Sequence, residues 1–223
     1  TTLLSAALQE HPHLRVVLLI DDPPHPTSPA AIAMLETARG LPGSIEAELS
    51  EPFMRAVRAL ETFEDMQMGD RQSTADDMRV LATHYTYSAN WLRQLGTRQE
   101  IVDHSDSFFV DHVLGALARD LEVIAAALSE GADEGASLTT DRLLDLYRRL
   151  VATFRAELSS FERKQYVSCS HAPNKAMNLN SYIALMGGSY QEIATPTGRA
   201  LVACTPRHAD LTVPDPDYVL TLD

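Results

Sequence analysis

The chain has 223 residues, with 18 basic and 31 acidic side chains and a net charge of −13. That excess of negative charge argues against general nucleic-acid binding and against docking on acidic lipid through this surface. No apolar run approaches the roughly 20 residues that span a bilayer, and Cys169 and Cys204 are too few for a disulfide framework or a zinc site, as in a reducing compartment. The length suffices for one substantial domain carrying a large insertion.

Leu14-Arg-Val-Val-Leu-Leu-Ile20 is a continuous apolar run, the pattern of a strand buried on both faces of a parallel sheet. It ends in Asp21-Asp22 and then Pro23-Pro24-His25-Pro26, which must leave the sheet at once. Carboxylates at the carboxyl end of a buried strand lie where open α/β sheets bind ligands, although such a pair can equally cap the next helix.

The middle of the chain, 44–163, reads as helical. Leu49, Phe53, Val57, Leu60 and Phe63 form one apolar stripe over Glu46–Met66, broken by Gly69-Asp70. A second helix starts after Ser73-Thr74, with Asp76-Asp77 in its first turn, and runs through Met78, Leu81, Tyr85 and Trp91-Leu92 toward Gly96. His84 within it reads as a packed helix residue. A third helix spans about Ser107 to Leu128, with Ser105 or Asp106 as its cap and Phe108-Phe109 entering the core. His104, Asp106, Asp111 and His112 form a polar cluster, but Asp111 and His112 are adjacent on a helix and do not converge on a metal. Gly131–Gly135 is a loop, and Thr139-Thr140 cap a fourth helix through Leu158. Successive amphipathic helices make a bundle inserted into an α/β domain, with 1–43 and 164–223 as the two parts of that domain. The insertion has no basic amphipathic stripe, which favours a protein partner or a plain structural insertion over a membrane surface.

Gln165–Ser170 reads as a short strand, followed by Asn174-Lys-Ala-Met-Asn-Leu-Asn180 at a strand-to-helix turn. Only Lys164 and Lys175 are lysines in this arginine-rich chain. A lysine at a helix start can reach a phosphate, where the first amides also point at an anion, although an ordinary helix start with a polar rim has the same pattern. Asn178 and Asn180 add amide donors and acceptors, and His171 is placed to face a phosphate or a sugar. Gly187-Gly188 end the helix, Tyr190–Arg199 is loop-like, and Ala200–Cys204 is a short strand. Asp217–Leu222 is another buried-strand pattern, ending at the carboxylate of Asp223. No dinucleotide or Walker-type glycine loop occurs.

Asp21-Asp22, then Lys175-Ala-Met-Asn-Leu-Asn180, then a hydrophobic strand ending in Asp223 resemble, in this order, the nucleotide-sugar-binding half of family 2 glycosyltransferases. The likeness is to the inverting, membrane-associated branch that includes cellulose synthases. It covers about the first forty and the last sixty residues. Thr1–Glu10 resembles that family's helix between its first two strands.

The resemblance implies a mostly parallel sheet of the glycosyltransferase A type with a large inserted helical bundle. It implies a metal-dependent transfer, with inversion, from a nucleotide-sugar, a UDP-sugar in particular, to a glycan or lipid-linked acceptor. Asp21, Asp22, Lys175, Asn178, Asn180 and His171 would hold the donor, and Asp223 would hold Mg²⁺ or Mn²⁺. The family's glycine within the lysine signature is Met177 here. Its first strand would precede Thr1, and the second metal Asp and the catalytic base would follow Asp223. A cytoplasmic site at the inner face of the plasma membrane, with membrane attachment through flanking segments, belongs to the same expectation. A non-catalytic interaction module on the same fold, or another nucleotide-using enzyme such as a nucleotidyltransferase, fits the carboxylate-ended strands as well.

Overall fold

The structure, a computed structural model, describes residues 1–67 and 73–222. It is mixed α/β with far more helix than strand. Its contacts divide it into two compact units, Thr1–Val16 with Ile45–Glu157, and Val17–Ser44 with Leu158–Asp223.

The first unit is helical. It contains α1 (Thr2–Ala7), most of α2 (Pro29–Gln67), α3 (Ala75–Arg98), α4 (His104–Phe108), a π-helical turn (Phe109–Leu114), α5 (Gly115–Asp133) and α6 (Thr140–Phe154). Helix α2 begins at Pro29, well before the expected start of the helical region. The Ser28 hydroxyl accepts the Ala31 amide at 3.1 Å, and a proline at the first helical position gives up an N–H that has no helical partner. Its buried stripe is Leu49, Pro52, Ala56, Ala59 and Phe63, one residue round from the expected one, with Phe53, Val57 and Leu60 half-buried at its flank. The break expected at Gly69-Asp70 lies outside the described residues.

Helix α3 starts as read. Thr74 caps it and Asp77 returns the bond to the Thr74 amide at 2.8 Å. The cap of α4 is Asp103 rather than Ser105 or Asp106: its carboxylate accepts the Ser105 and Asp106 amides at 2.7 and 3.2 Å, and Asp106 accepts the Asp103 amide. The third helix is thus broken into α4, the π-turn and α5, and α5 runs on into the expected loop as far as Asp133, with Gly135 at φ +77°. Helix α6 stops at Phe154, so Leu158 belongs to a strand. Tyr85, Leu92, Leu121, Leu143 and Leu150 fill the core. Phe63 stacks on Tyr147 at 4.9 Å and Trp91 meets Phe154 edge-on at 5.6 Å.

The second unit holds the sheets. Strand β1 (Arg15–Leu19) forms within the apolar run, though half-buried rather than buried on both faces, and pairs in parallel with β2 (Glu157–Phe161), ending in a bond from the Ile20 amide to Phe161 O at 3.0 Å. The neighbour of β1 is therefore Glu157–Phe161. Gln165–Ser170, expected as a short strand, forms none: a 3₁₀ turn at Arg163–Gln165 and a bond from the Cys169 amide to Tyr166 O curl it, leaving only a bridge from Tyr166 to Arg199.

Helix α7 (Lys175–Ile183) follows, and then β3 (Ser189–Thr195), β4 (Gly198–Ala203) and β5 (Leu211–Thr212) in an antiparallel sheet of order β4-β3-β5. The segment read as a loop, Tyr190–Arg199, is thus mostly a hairpin, turned at Pro196-Thr197, and the parallel part of the fold is two strands. Asp217–Leu222 is not a strand. No strand among the described residues lies beside it to take its backbone bonds, and Tyr218 and Leu220 are 93% and 82% exposed. Phe161, Tyr166, Tyr182, Leu185, Leu201 and Val213 form this unit's core.

Candidate functional site

Strands β1 and β2 end side by side, and each delivers charge at its carboxyl end: Asp21-Asp22 after β1, Glu162-Arg163-Lys164 after β2. Arg163 is completely buried. Its Nε donates to Asp21 Oδ1 at 2.9 Å, and Nη2 lies 2.6 Å from the same oxygen. Nη2 also donates to Ala172 O at 2.6 Å, and Nη1 donates to Ser170 O. Lys164 lies 3.3 Å from Asp21 Oδ1 and donates to Asp21 O. A buried cation is stable only when paired and fully hydrogen-bonded, and Arg163 meets both conditions. Beside it, Arg39 reaches Glu162 with two N–H groups at 2.8 Å each and also donates to Glu36. Those bonds hold the Glu162 carboxyl below its ordinary range, against the opposing effect of burial.

The loop beyond β2 leads to the lysine signature. His171 is at the surface, and its Nε2 donates to Tyr166 O at 3.0 Å, which fixes the proton on that nitrogen. Asn174 caps α7 by accepting the Met177 amide at 2.8 Å. Lys175 is the first residue of α7 and exposed. Asn178, on the same helix, is 8% exposed; its Nδ2 donates to Leu19 O at 3.3 Å, tying α7 to the end of β1. Its Oδ1 is buried and has no partner among the described residues. Asn180 and Asp22 are exposed.

Asp21, Asn178 and the loop before Lys175 therefore meet at the carboxyl end of β1. Asp21 is occupied by Arg163 and Lys164, so its role is to anchor, and Asp22 is the carboxylate open to solvent. Asp223 lies outside the described residues. Among those residues no three His, Cys, Asp or Glu side chains gather as a metal set. In the helical unit, Asp106 is spent on its cap and His112 stacks against Phe108 at 4.8 Å. Cys169 and Cys204 are free thiols, and burial pushes Cys169 up, away from the reactive thiolate.

No motif in the sequence marks Arg39, and Glu162, Arg163 and Lys164 show there only as a charged triplet directly after Phe161, a pattern that also suits a solvated turn.

The helical unit carries a groove of about 610 Å³, lined by Arg55, Arg58, Met54, Met66, His84 and Tyr147 among others. Burial and the nearby Arg55 charge lower the His84 pKa, and its buried Nδ1 has no partner among the described residues.

No family model, no curated protein and no solved structure matches this chain.

Proposed function

We propose that this chain carries part of the donor site of an inverting glycosyltransferase that uses a nucleotide-sugar, with a UDP-sugar as donor and a glycan or lipid-linked acceptor. The observation that carries this reading is the convergence of the lysine signature and the carboxylate pair on the end of β1: Asn178 bonds Leu19 O, and Arg163 joins Asp21 to the loop before Lys175. Ligands of open α/β sheets bind at such strand ends.

As the glycosidic bond breaks, the leaving diphosphate gathers negative charge. Lys175 and the start of α7 supply positive potential for it. Asp22 accepts hydrogen bonds from base or ribose, Asn178 braces the helix start through its bond to Leu19 O, and Asn180 and His171 stand nearby. The resemblance also implies Mg²⁺ or Mn²⁺ at Asp223. The glycosyltransferase A fold and attachment to the inner face of the plasma membrane belong to this proposal as well; no helix among the described residues is long and apolar enough to cross a membrane.

Isothermal titration of the intact protein with UDP and UDP-sugars, with and without Mn²⁺, tests the reading. UDP binds, and Lys175→Ala weakens it at least about tenfold, as expected for a charge-assisted contact of about 1.5–3 kcal/mol. A folded protein that binds no nucleotide overturns it.

One observation favours a second reading, a binding module. The groove in the helical unit is lined by two arginines and by a histidine whose Nδ1 has no partner among the described residues, which suits a partner or ligand of its own. An intact protein that binds no nucleotide but captures a partner through that unit would favour it.

A further inference from the structure

We infer that Arg163 is a positioning residue for Lys175: its guanidinium locks the loop that enters α7 against Asp21 and thereby sets where the lysine stands. The inference rests on the donor-site reading above.

Arg163 joins three stretches of chain that are distant in sequence or direction. It grows from the end of β2, pairs with Asp21 at the end of β1, and holds the carbonyls of Ser170 and Ala172. The Ala172 carbonyl is the link that matters. It accepts Arg163 Nη2 at 2.6 Å and the Asn174 amide at 2.9 Å. Asn174 in turn caps α7 through the Met177 amide at 2.8 Å, and Lys175 is the next residue. The chain of contacts therefore runs Asp21, Arg163, Ala172 O, Asn174, α7. Lys164 adds a second cation on Asp21 and fixes that residue's own carbonyl.

Arginine suits the position and lysine does not. The planar fork presents five N–H groups in fixed directions, so one side chain reaches a carboxylate and two carbonyls together. An ammonium on a flexible stem keeps the charge beside Asp21 and loses the carbonyls.

The test is a double-mutant cycle on UDP affinity in the intact protein: Arg163→Lys, Lys175→Ala and the pair, with far-UV circular dichroism and melting curves to establish folding. If Arg163 acts through the lysine, Arg163→Lys costs about tenfold in affinity with Lys175 present and less than about twofold once Lys175 is alanine. An equal loss in both backgrounds, or none in either, overturns the inference and leaves Arg163 as a structural tie. Should Arg163→Lys fail to fold, Asp21→Asn enters the same cycle, since it weakens the anchor while keeping its shape.

Where Lys175→Ala leaves no measurable UDP binding, hydrogen exchange reads the coupling directly. The Met177 amide then exchanges at least about tenfold faster in Arg163→Lys while the β3–β4 amides are unchanged, since a broken cap opens locally. An unchanged Met177 rate overturns the inference. If the wild-type protein binds no UDP, the donor-site reading fails first and takes this inference with it, a result distinct from additive losses in a protein that does bind.

Discussion

At the end of β2, Glu162 is only 8% exposed yet keeps its charge, because Arg39 meets it with two N–H groups. Glu162→Gln should destabilise the protein by about 1.5–3 kcal/mol, the usual worth of hydrogen bonds to a charged group, measured by denaturant unfolding. The pH sign follows from the lowered pKa: this stability is complete above the ordinary glutamate value of 4.5 and is lost as pH falls through the lower folded value. The variant's stability should therefore fall less steeply with acid than the wild type's. His84 has the same sign for a different cause, since burial and Arg55 disfavour its charged form. Its contribution is full above 6.5 and is lost as pH falls below that value. Its ring resonances, followed by NMR against pH, should titrate below the ordinary histidine value of 6.5; an equal or higher midpoint would contradict the packing described.

Helix starts and turns carry the next level of order. Thr74 and Asp77 satisfy each other's backbone donors at the head of α3, and Thr74→Ala should cost about 1 kcal/mol in unfolding free energy. Gly187 stands at φ +75° in the turn between α7 and β3, a conformation that penalises any Cβ. Gly187→Ala should cost about 1–2 kcal/mol, and because that turn closes the signature helix, a melting curve of the variant reads the second unit's stability. The π-turn at Phe109–Leu114 is the element with least warning in the sequence: the Gly115 amide reaches back to Val110 O, one residue further than in an α-helix.

For the whole molecule, protection against hydrogen exchange should follow packing. The slowest amides should belong to α3, α5 and α6, whose Tyr85, Leu92, Leu121, Leu143 and Leu150 are buried, and the fastest to Val219–Leu222, which have no ladder. Slow exchange at Val219–Leu222 would contradict the absence of strand pairing described. Much of this plan was readable from the chain. The apolar run of β1, the cap at Thr74, the cap at Thr139 and the helix opened by Asn174-Lys175 are local signals, set by side-chain periodicity and by hydrogen bonds that span three or four residues. What local signals could not determine is pairing. Glu157–Phe161 is half polar and still lies beside β1, while Asp217–Leu222 has the stronger strand pattern and lies alone, because a strand exists only where a neighbour accepts its backbone bonds. Asp21 looked free in the sequence for the same reason. Its partner Arg163 arrives from the end of β2, and only the parallel pairing of β1 with β2 brings the two charges within hydrogen-bonding distance.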